Sequence, residues 1–341
     1  MRFLSLFSGI EAASIAWKPL GWECVAFSEI EPFPCAVLAH PYPNTPNLGD
    51  VTKITEDDIK NLGQIGLVVF GFPCQDLSIA GARKGFEGER SSLFYDAIRV
   101  INYAKQHCGT RFALLENVPG AFSSNKGADF TEVVKHMAGL SDLDTPANGW
   151  GKEGAAVGDN GLLEWCVLDA QWFRLAQRRK RVFAIVDFGD WASRPPILLE
   201  RESLRGSPAP SREAQQEVAG TLSSRTSGGG GLGADFECAG GLQPVDTYQN
   251  VSHCLNAGGM GRIDYESESF VFHGTMAVRR LTPVECERLQ GFPDNFTRIP
   301  WRGKEPENCP DGPRYKALGN SMAVPCMKWI GERIQRLEDI Q

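Results

Sequence analysis

The sequence predicts an α/β fold: a doubly wound, mostly parallel sheet with a smaller, irregular β-rich domain attached. Three observations carry this expectation. Short apolar runs alternate with helical segments up to about residue 188, which is how a parallel sheet with crossover helices is written in sequence. Residues suited to binding or catalysis stand directly after those runs. From about Trp191 to 262 the composition shifts to Pro, Gly and Ser, with little helical period.

Residues 2–7 read as the first strand, and a turn at Ser8-Gly9-Ile10 leads to a helix from Glu11 to Trp17. Cys24-Val25-Ala26-Phe27 is the second strand, ending at Ser28-Glu29. An acid about 20 positions after a glycine turn is how a doubly wound sheet grips the ribose of a nucleoside. One glycine is too few for a pyrophosphate fingerprint, so a nucleoside without phosphate fits better. Pro32 and Pro34 begin a helix that Pro41 and Pro43 end. Asp50, read as following another strand, suits either an adenine amino group or a turn cap.

Leu67-Val68-Val69-Phe70 is a buried strand that delivers Gly71-Phe72-Pro73-Cys74-Gln75 to the same edge. There Cys74 is placed as a nucleophile. A Gly-rich, charged stretch from Gly81 to Arg90 follows, with the build of a loop that closes over a substrate. Ser91-Ser92 caps a helix through Leu93, Phe94, Ala97 and Ile101. Phe112 to Leu115 is the next strand and ends in Glu116-Asn117-Val118. Gly9, Glu29, Asp50, Cys74 and Glu116 are thus all expected at the carboxyl edge of one sheet, where ligands of open α/β sheets bind.

Residues 141–161 read as a polar surface insertion, and Trp165–Leu168 and Val182–Val186 as two further strands. Between those strands Arg174, Arg178, Arg179, Lys180 and Arg181 form either a narrow positive patch or a solvated charged face. Residues 218–266 hold two copies of a Gly-rich pattern at a lag of about 30, as paired β-loop units would. Thr282-Pro283-x-Glu285 announces a helix over about 280–291, and Gly319-Asn320-Ser321 leads into a C-terminal helix.

The net charge of −7 excludes a protein that coats nucleic acid, while leaving room for a local basic groove. Ten scattered cysteines without a Cys-x-x-Cys pair, and no signal-like or membrane-length segment, point to a cytoplasmic chain with reduced thiols and no metal site.

In order along the chain, Gly-Phe-Pro-Cys-Gln (71–75), Glu-Asn-Val (116–118), Gln-x-Arg-x-Arg (177–181) and Gly-Asn-Ser (319–321) resemble the DNA cytosine-5 methyltransferase family of bacterial or phage type. The resemblance covers nearly the whole chain except residues 191–275. It implies a class I, Rossmann-like fold that binds S-adenosylmethionine. Phe7, Gly9 and Ile10 would line the cofactor site, with Glu29 on the ribose, Ile30 on the adenine and Asp50-Val51 at the adenine edge. Pro73, Leu93, Asn320 and Ser321 would complete it. Cys74 would add to carbon 6 of a flipped-out cytosine, Glu116 would stabilise the ring, and Arg179 and Arg181 would clamp the base carbonyl and an adjacent phosphate or carboxylate.

The resemblance also implies a domain plan: residues 1–188 completed by 314–341 as the catalytic unit, and 189–313 as a target-recognition domain whose variable part is about 191–275. Duplex DNA is the expected partner of a monomeric enzyme, with a companion restriction endonuclease possible by the same analogy. Gln75, Ser78 and Arg90 in the loop, and Arg225 and Arg262 in the variable part, are the DNA-contact candidates. An RNA-methylating relative acting on tRNA and a catalytically silent DNA binder are the alternatives. The first block departs from the family, with Ser8-Gly9-Ile10-Glu11-Ala12 where many members carry more glycine.

Overall fold

The computed structural model describes residues 1–72, 92–199, 270–273 and 277–340. Its centre is a seven-stranded sheet of β1 (Arg2–Leu6), β2 (Glu23–Ser28), β3 (Leu67–Phe70), β4 (Phe112–Asn117), β5 (Glu153–Gly158), β6 (Gly161–Asp169) and β7 (Lys180–Asp187). The spatial order is β2-β1-β3-β4-β7-β6-β5. β2, β1, β3 and β4 pair in parallel, whereas β7 runs against β4, β6 against β7 and β5 against β6. Since β6 opposes β7 and β7 opposes β4, β6 runs with the first four strands and the sheet is mostly parallel, as expected.

Strand alternation sorts the core into two faces. Phe3, Leu67, Val69, Phe112 and Leu114 face one side, with α1 (Ala12–Trp17), α2 (Pro32–Ala39) and the C-terminal helices. Leu4, Leu6, Val68, Phe70, Ala113 and Leu115 face the other. That side is covered by α3 (Glu56–Asn61), α4 (Ser92–Cys108) and α5 (Ala128–Ala138). Strands buried on both faces cannot alternate polar with apolar, so they read as continuous apolar runs.

The chain returns to the first face through α6 (Pro283–Gln290), α7 (Asp311–Asn320) and α8 (Val324–Ile340). α6 starts at the expected capping box: the Thr282 hydroxyl accepts from Glu285 N, and the Glu285 carboxylate accepts from Thr282 N. α8 lies on α1, where Trp17 Nε1 donates to Met327 O at 2.7 Å in the buried interior. Gly331 permits this approach, because a Cβ there would stand 2.4 Å from the Trp17 ring.

Three expectations are corrected. The stretch 141–161 contains β5, an edge strand whose register on β6 puts Gly154 opposite Trp165; a Cβ at 154 would meet that indole at 2.2 Å. Its Gly-Ala composition, read as loop, is the room the indole needs. No strand precedes Asp50: only an isolated bridge from Phe27 to Asn47 lies there, because Pro41, Pro43 and Pro46 deny the segment a ladder. A separate helix, α7, leads into Gly319-Asn320, which the turn residues had masked in the sequence.

Residues that the sequence reading placed in the smaller domain also reach the main core. Ile197, Leu198, Cys286, Phe292, Ile299 and Cys309 are buried in the same cluster as Phe3 and Phe112. Glu164, buried on β6, accepts the backbone N–H groups of Ile197, Leu198 and Leu199 and pairs with Arg194 at 2.6 Å. From α8, Arg333 donates to the carbonyls of Pro196, Ile197 and Leu199. The repeat at 218–266 lies outside the described residues. Beyond it β8 (Phe270–His273) and β9 (Ala277–Arg280) form an antiparallel hairpin.

Candidate active site

The carboxyl ends of β1 and β2 form the first corner of the site. β1 leads into a turn in which Phe7, Gly9 and Glu11 all have left-handed backbones, with φ of 52°, 56° and 63°. The left-handed region is costly for residues with a Cβ, so two non-glycine residues there in one turn mark a place held by its surroundings. Gly9 N donates to Glu29 Oε2 at 2.8 Å. The other oxygen of Glu29 accepts from Ile30 N and Glu31 N. Burial pushes the Glu29 carboxyl above its ordinary range, against the three N–H groups that pull it down.

Beside this carboxylate Ile30 is 67% exposed, one of few large apolar side chains left open among the described residues. An apolar face next to a carboxylate at a sheet edge suits the flat ring and ribose of a nucleoside. Asp50 acts as a cap, accepting from Thr52 N and Oγ1, which hold its carboxyl below the usual range. Val51 and Ile10 are buried, Ile10 within the core on the α1 side rather than open to the edge. Leu93 is half-buried in the first turn of α4.

The second corner lies at β3, β4 and β7. Glu116, nearly buried at the end of β4, pairs with Arg181 Nε at 3.2 Å. Antiparallel register puts Asn117 opposite Val182, one residue from Arg181, so the pairing follows from the sheet. Gly71 closes this corner: a Cβ there would come within 3.3 Å of Glu116 Oε2 and of its carbonyl, and 3.1 Å from Met322. Asn117 Nδ2 donates to Phe72 O, and its Oδ1 accepts from Val118 N. Glu116 and Asn117 are therefore packed on the two residues that lead to Pro73 and Cys74.

Arg179 also reaches the end of α7. It is buried, and its Nη2 donates to Gly319 O at 3.0 Å and Ser321 O at 2.6 Å. Its backbone N donates to Asp169 Oδ1. The last carbonyls of a helix lack intrahelical partners and carry the negative end of its dipole, so the end of α7 is a favourable seat for a guanidinium. Gln290 Nε2 takes the neighbouring carbonyl of Leu318. Ser321 is buried in this junction, and Asn320 is exposed. Sequence reasoning missed Gly71 as a spacer, Asn117 as a tether and Gln290 as a support; Gly71 and Asn117 lay within the motifs already singled out, whereas no local pattern marks Gln290. Pro73, Cys74, Gln75, Ser78, Arg90, Arg225 and Arg262 lie outside the described residues.

The sequence matches the profile described as C-5 cytosine-specific DNA methylase over residues 1–190 and 208–336. The chain belongs to that family. It is accordingly a DNA cytosine-5 methyltransferase, and the family's methyl donor is S-adenosylmethionine. The chain is 24% identical to the type II methyltransferase M.HhaI of Haemophilus parahaemolyticus, over 98% of this chain and 94% of that one. It is 27% identical to M.HpaII of Haemophilus parainfluenzae, over 97% and 88%. A protein of Escherichia phage P1 named DNA N-6-adenine-methyltransferase is 31% identical over 97% of this chain, which spans 61% of that protein's length. The fold is shared with the crystal structure of S. pombe Dnmt2 methyltransferase, with a TM-score of 0.61, 17% identity and 99% of each chain covered. Among the described residues no cluster of His, Cys, Asp and Glu could hold a metal ion, and no helix is long and apolar enough to cross a membrane.

Proposed function

We propose that the chain methylates carbon 5 of a flipped-out cytosine in a specific duplex DNA sequence, with Cys74 as nucleophile and Glu116 and Arg181 as the groups that handle the base. The packing of the Glu116–Arg181 pair against Gly71-Phe72 carries this reading. Carbon 5 of cytosine is a weak nucleophile, so the Cys74 thiolate adds to carbon 6 and raises electron density at carbon 5. Negative charge then builds on the ring. Glu116, sharing a proton with ring nitrogen 3, stabilises that charge, and Arg181 holds the Glu116 carboxylate in place and faces the base carbonyl. After methyl transfer a base or water removes the proton from carbon 5, and the sulfur–carbon 6 bond breaks to free Cys74.

When bound, S-adenosylmethionine supplies an electrophilic methyl group. Glu29 would hold its ribose, Ile30 its adenine face, and the Gly9 turn its remaining part; the open Ile30 beside the Glu29 carboxylate supports this fit. Arg179, expected with Arg181 to clamp the base and an adjacent group, also fixes the Gly319–Ser321 junction. The variable part, about residues 191–275 and including Arg225 and Arg262, is proposed to choose the DNA sequence; within it the 196–199 segment is clasped by Glu164 and Arg333. A monomer, a cytoplasmic setting and a companion endonuclease belong to the same proposal.

The name of the phage P1 relative favours a second reading, methylation of adenine N6. That reaction needs no ring thiol, because the exocyclic nitrogen is itself the nucleophile. The deciding experiment offers duplexes containing 5-fluorocytosine with tritiated S-adenosylmethionine. Fluorine cannot leave as a proton does, so a labelled covalent protein–DNA band that Cys74→Ala removes is the expected result. Label recovered in N6-methyladenine with no adduct would establish the second reading. An adduct formed only with tRNA would move the substrate to RNA, and methyl transfer by the alanine variant would remove Cys74 from its role.

A further inference from the structure

The turn from β1 to α1 contains a left-handed corner at Glu11, within a block where the family resemblance leads one to expect more glycine. Glycine adopts this conformation freely, whereas a residue with a Cβ does so at a cost of about 1 kcal/mol or more. The Glu11 side chain answers that cost locally. It is 1% exposed and caps α1, its Oε1 accepting from Ser14 N at 3.0 Å and Ser14 Oγ at 3.1 Å. Its own N–H donates to Ser8 O at 2.9 Å, which closes the turn around Gly9. α1 has six residues, too few to hold a helix by itself, so its first turn depends on this cap. The same turn sets the direction of Gly9 N, whose N–H holds Glu29 Oε2.

Resting on the cofactor site put forward above, we propose that Glu11 is a positioning residue for the cofactor: its side-chain cap stabilises a left-handed corner otherwise suited to glycine and thereby aims Gly9 N–H at Glu29. Glu11 does not touch the ligand in this scheme. Buried between β1, β2 and α1, it acts through the main chain. The groups that face it are Ser5, Ser14, Cys24 and Tyr42, all uncharged at neutral pH, so the cap works by hydrogen bonding to the helix start and not by an ion pair.

The test is calorimetric titration of the full chain with S-adenosylhomocysteine, which has the cofactor's nucleoside but no methyl group to transfer. Glu11→Ala keeps the Cβ and loses the cap, and its Kd should rise about tenfold, the scale of one lost cap. Glu11→Gln keeps an acceptor oxygen for Ser14 N and should recover most of the affinity; Glu11→Gly removes the conformational cost and should fall between the two. At saturating cofactor, kcat and the KM for DNA of the alanine variant should stay within about twofold of the parent, a split that general loss of structure would not produce. Unchanged ligand affinity in Glu11→Ala, or a glutamine variant as weak as alanine, overturns the inference while leaving the function standing. A parent protein that binds no S-adenosylhomocysteine overturns the cofactor site as well.

Discussion

At the β1–β2 end of the sheet edge, the carboxyl groups of Glu11 and Glu29 are held mainly by backbone N–H groups, Glu29 by that of Gly9 among others. At the β3–β4–β7 end, Gly71, Glu116 and Arg181 meet through a side-chain ion pair and a missing Cβ. The first corner is local, built within one strand-turn-helix and the next strand. The second draws on residues far apart in the chain and is braced by Arg179, just before β7, and by Gln290 and Met322 from the returning C-terminal segment. Main-chain geometry suits a ligand that must be held unchanged. A paired carboxylate and guanidinium suit a ring whose charge changes during reaction.

The largest expected separation between the corners comes from Glu116→Gln. The amide cannot share a proton as the acid does, so kcat should fall by about 10²–10⁴-fold, while Kd for S-adenosylhomocysteine stays near the parent value. Rapid-quench single turnovers and calorimetry check the two halves, and equal losses would join corners that the proposal keeps apart.

Arg179 and Arg181 sharpen the comparison because they belong to one motif and serve different partners. Arg179→Ala leaves the carbonyls of Gly319 and Ser321 buried without their donor and should destabilise the chain by about 1–3 kcal/mol for each, read from urea unfolding. Arg181→Ala should lower kcat first and cost less stability, since its site is not fully closed to water. If the two variants exchange these profiles, the division drawn from the geometry is wrong.

A pH series addresses the first corner. Burial raises the Glu11 carboxyl from 4.5 to about 7, against the pull of Ser5 and Ser14. The folded state therefore holds the proton more tightly than the unfolded one. Stability from this group is full below about pH 4.5 and is lost as pH rises toward 7, on the order of 3 kcal/mol for a shift of this size. Subtracting the Glu11→Gln curve from the parent curve should isolate that fall; parallel curves between pH 4.5 and 7 would show that the carboxyl titrates normally.

Gly331→Ala should have the smallest effect, about 1–3 kcal/mol of overpacking against Trp17. Because α8 carries the chain away from the Ser321 junction, the variant tests whether loosening α8 on α1 reaches either corner. A lowered Tm with unchanged kcat and cofactor affinity is expected.

The apolar runs of β1 to β4, the acid after β2, the Thr282–Glu285 cap and the four motif blocks were legible in the sequence because each is a short-range pattern imposed by local geometry. A strand buried on two faces must be apolar, and a helix start must cap its free N–H groups. Tertiary structure alone decided the rest. Arg179 and Arg181 are two positions apart, yet one reaches the end of α7 and the other reaches Glu116, since nothing local says which distant carbonyl or carboxylate a long cationic side chain will find. β5 looked like a loop because its Gly154 answers to an indole on another strand. Asp50 carried two compatible readings until the absence of a preceding ladder made it a cap. Patterns enforced along the chain could be read from the chain, and those enforced across space required the packed molecule.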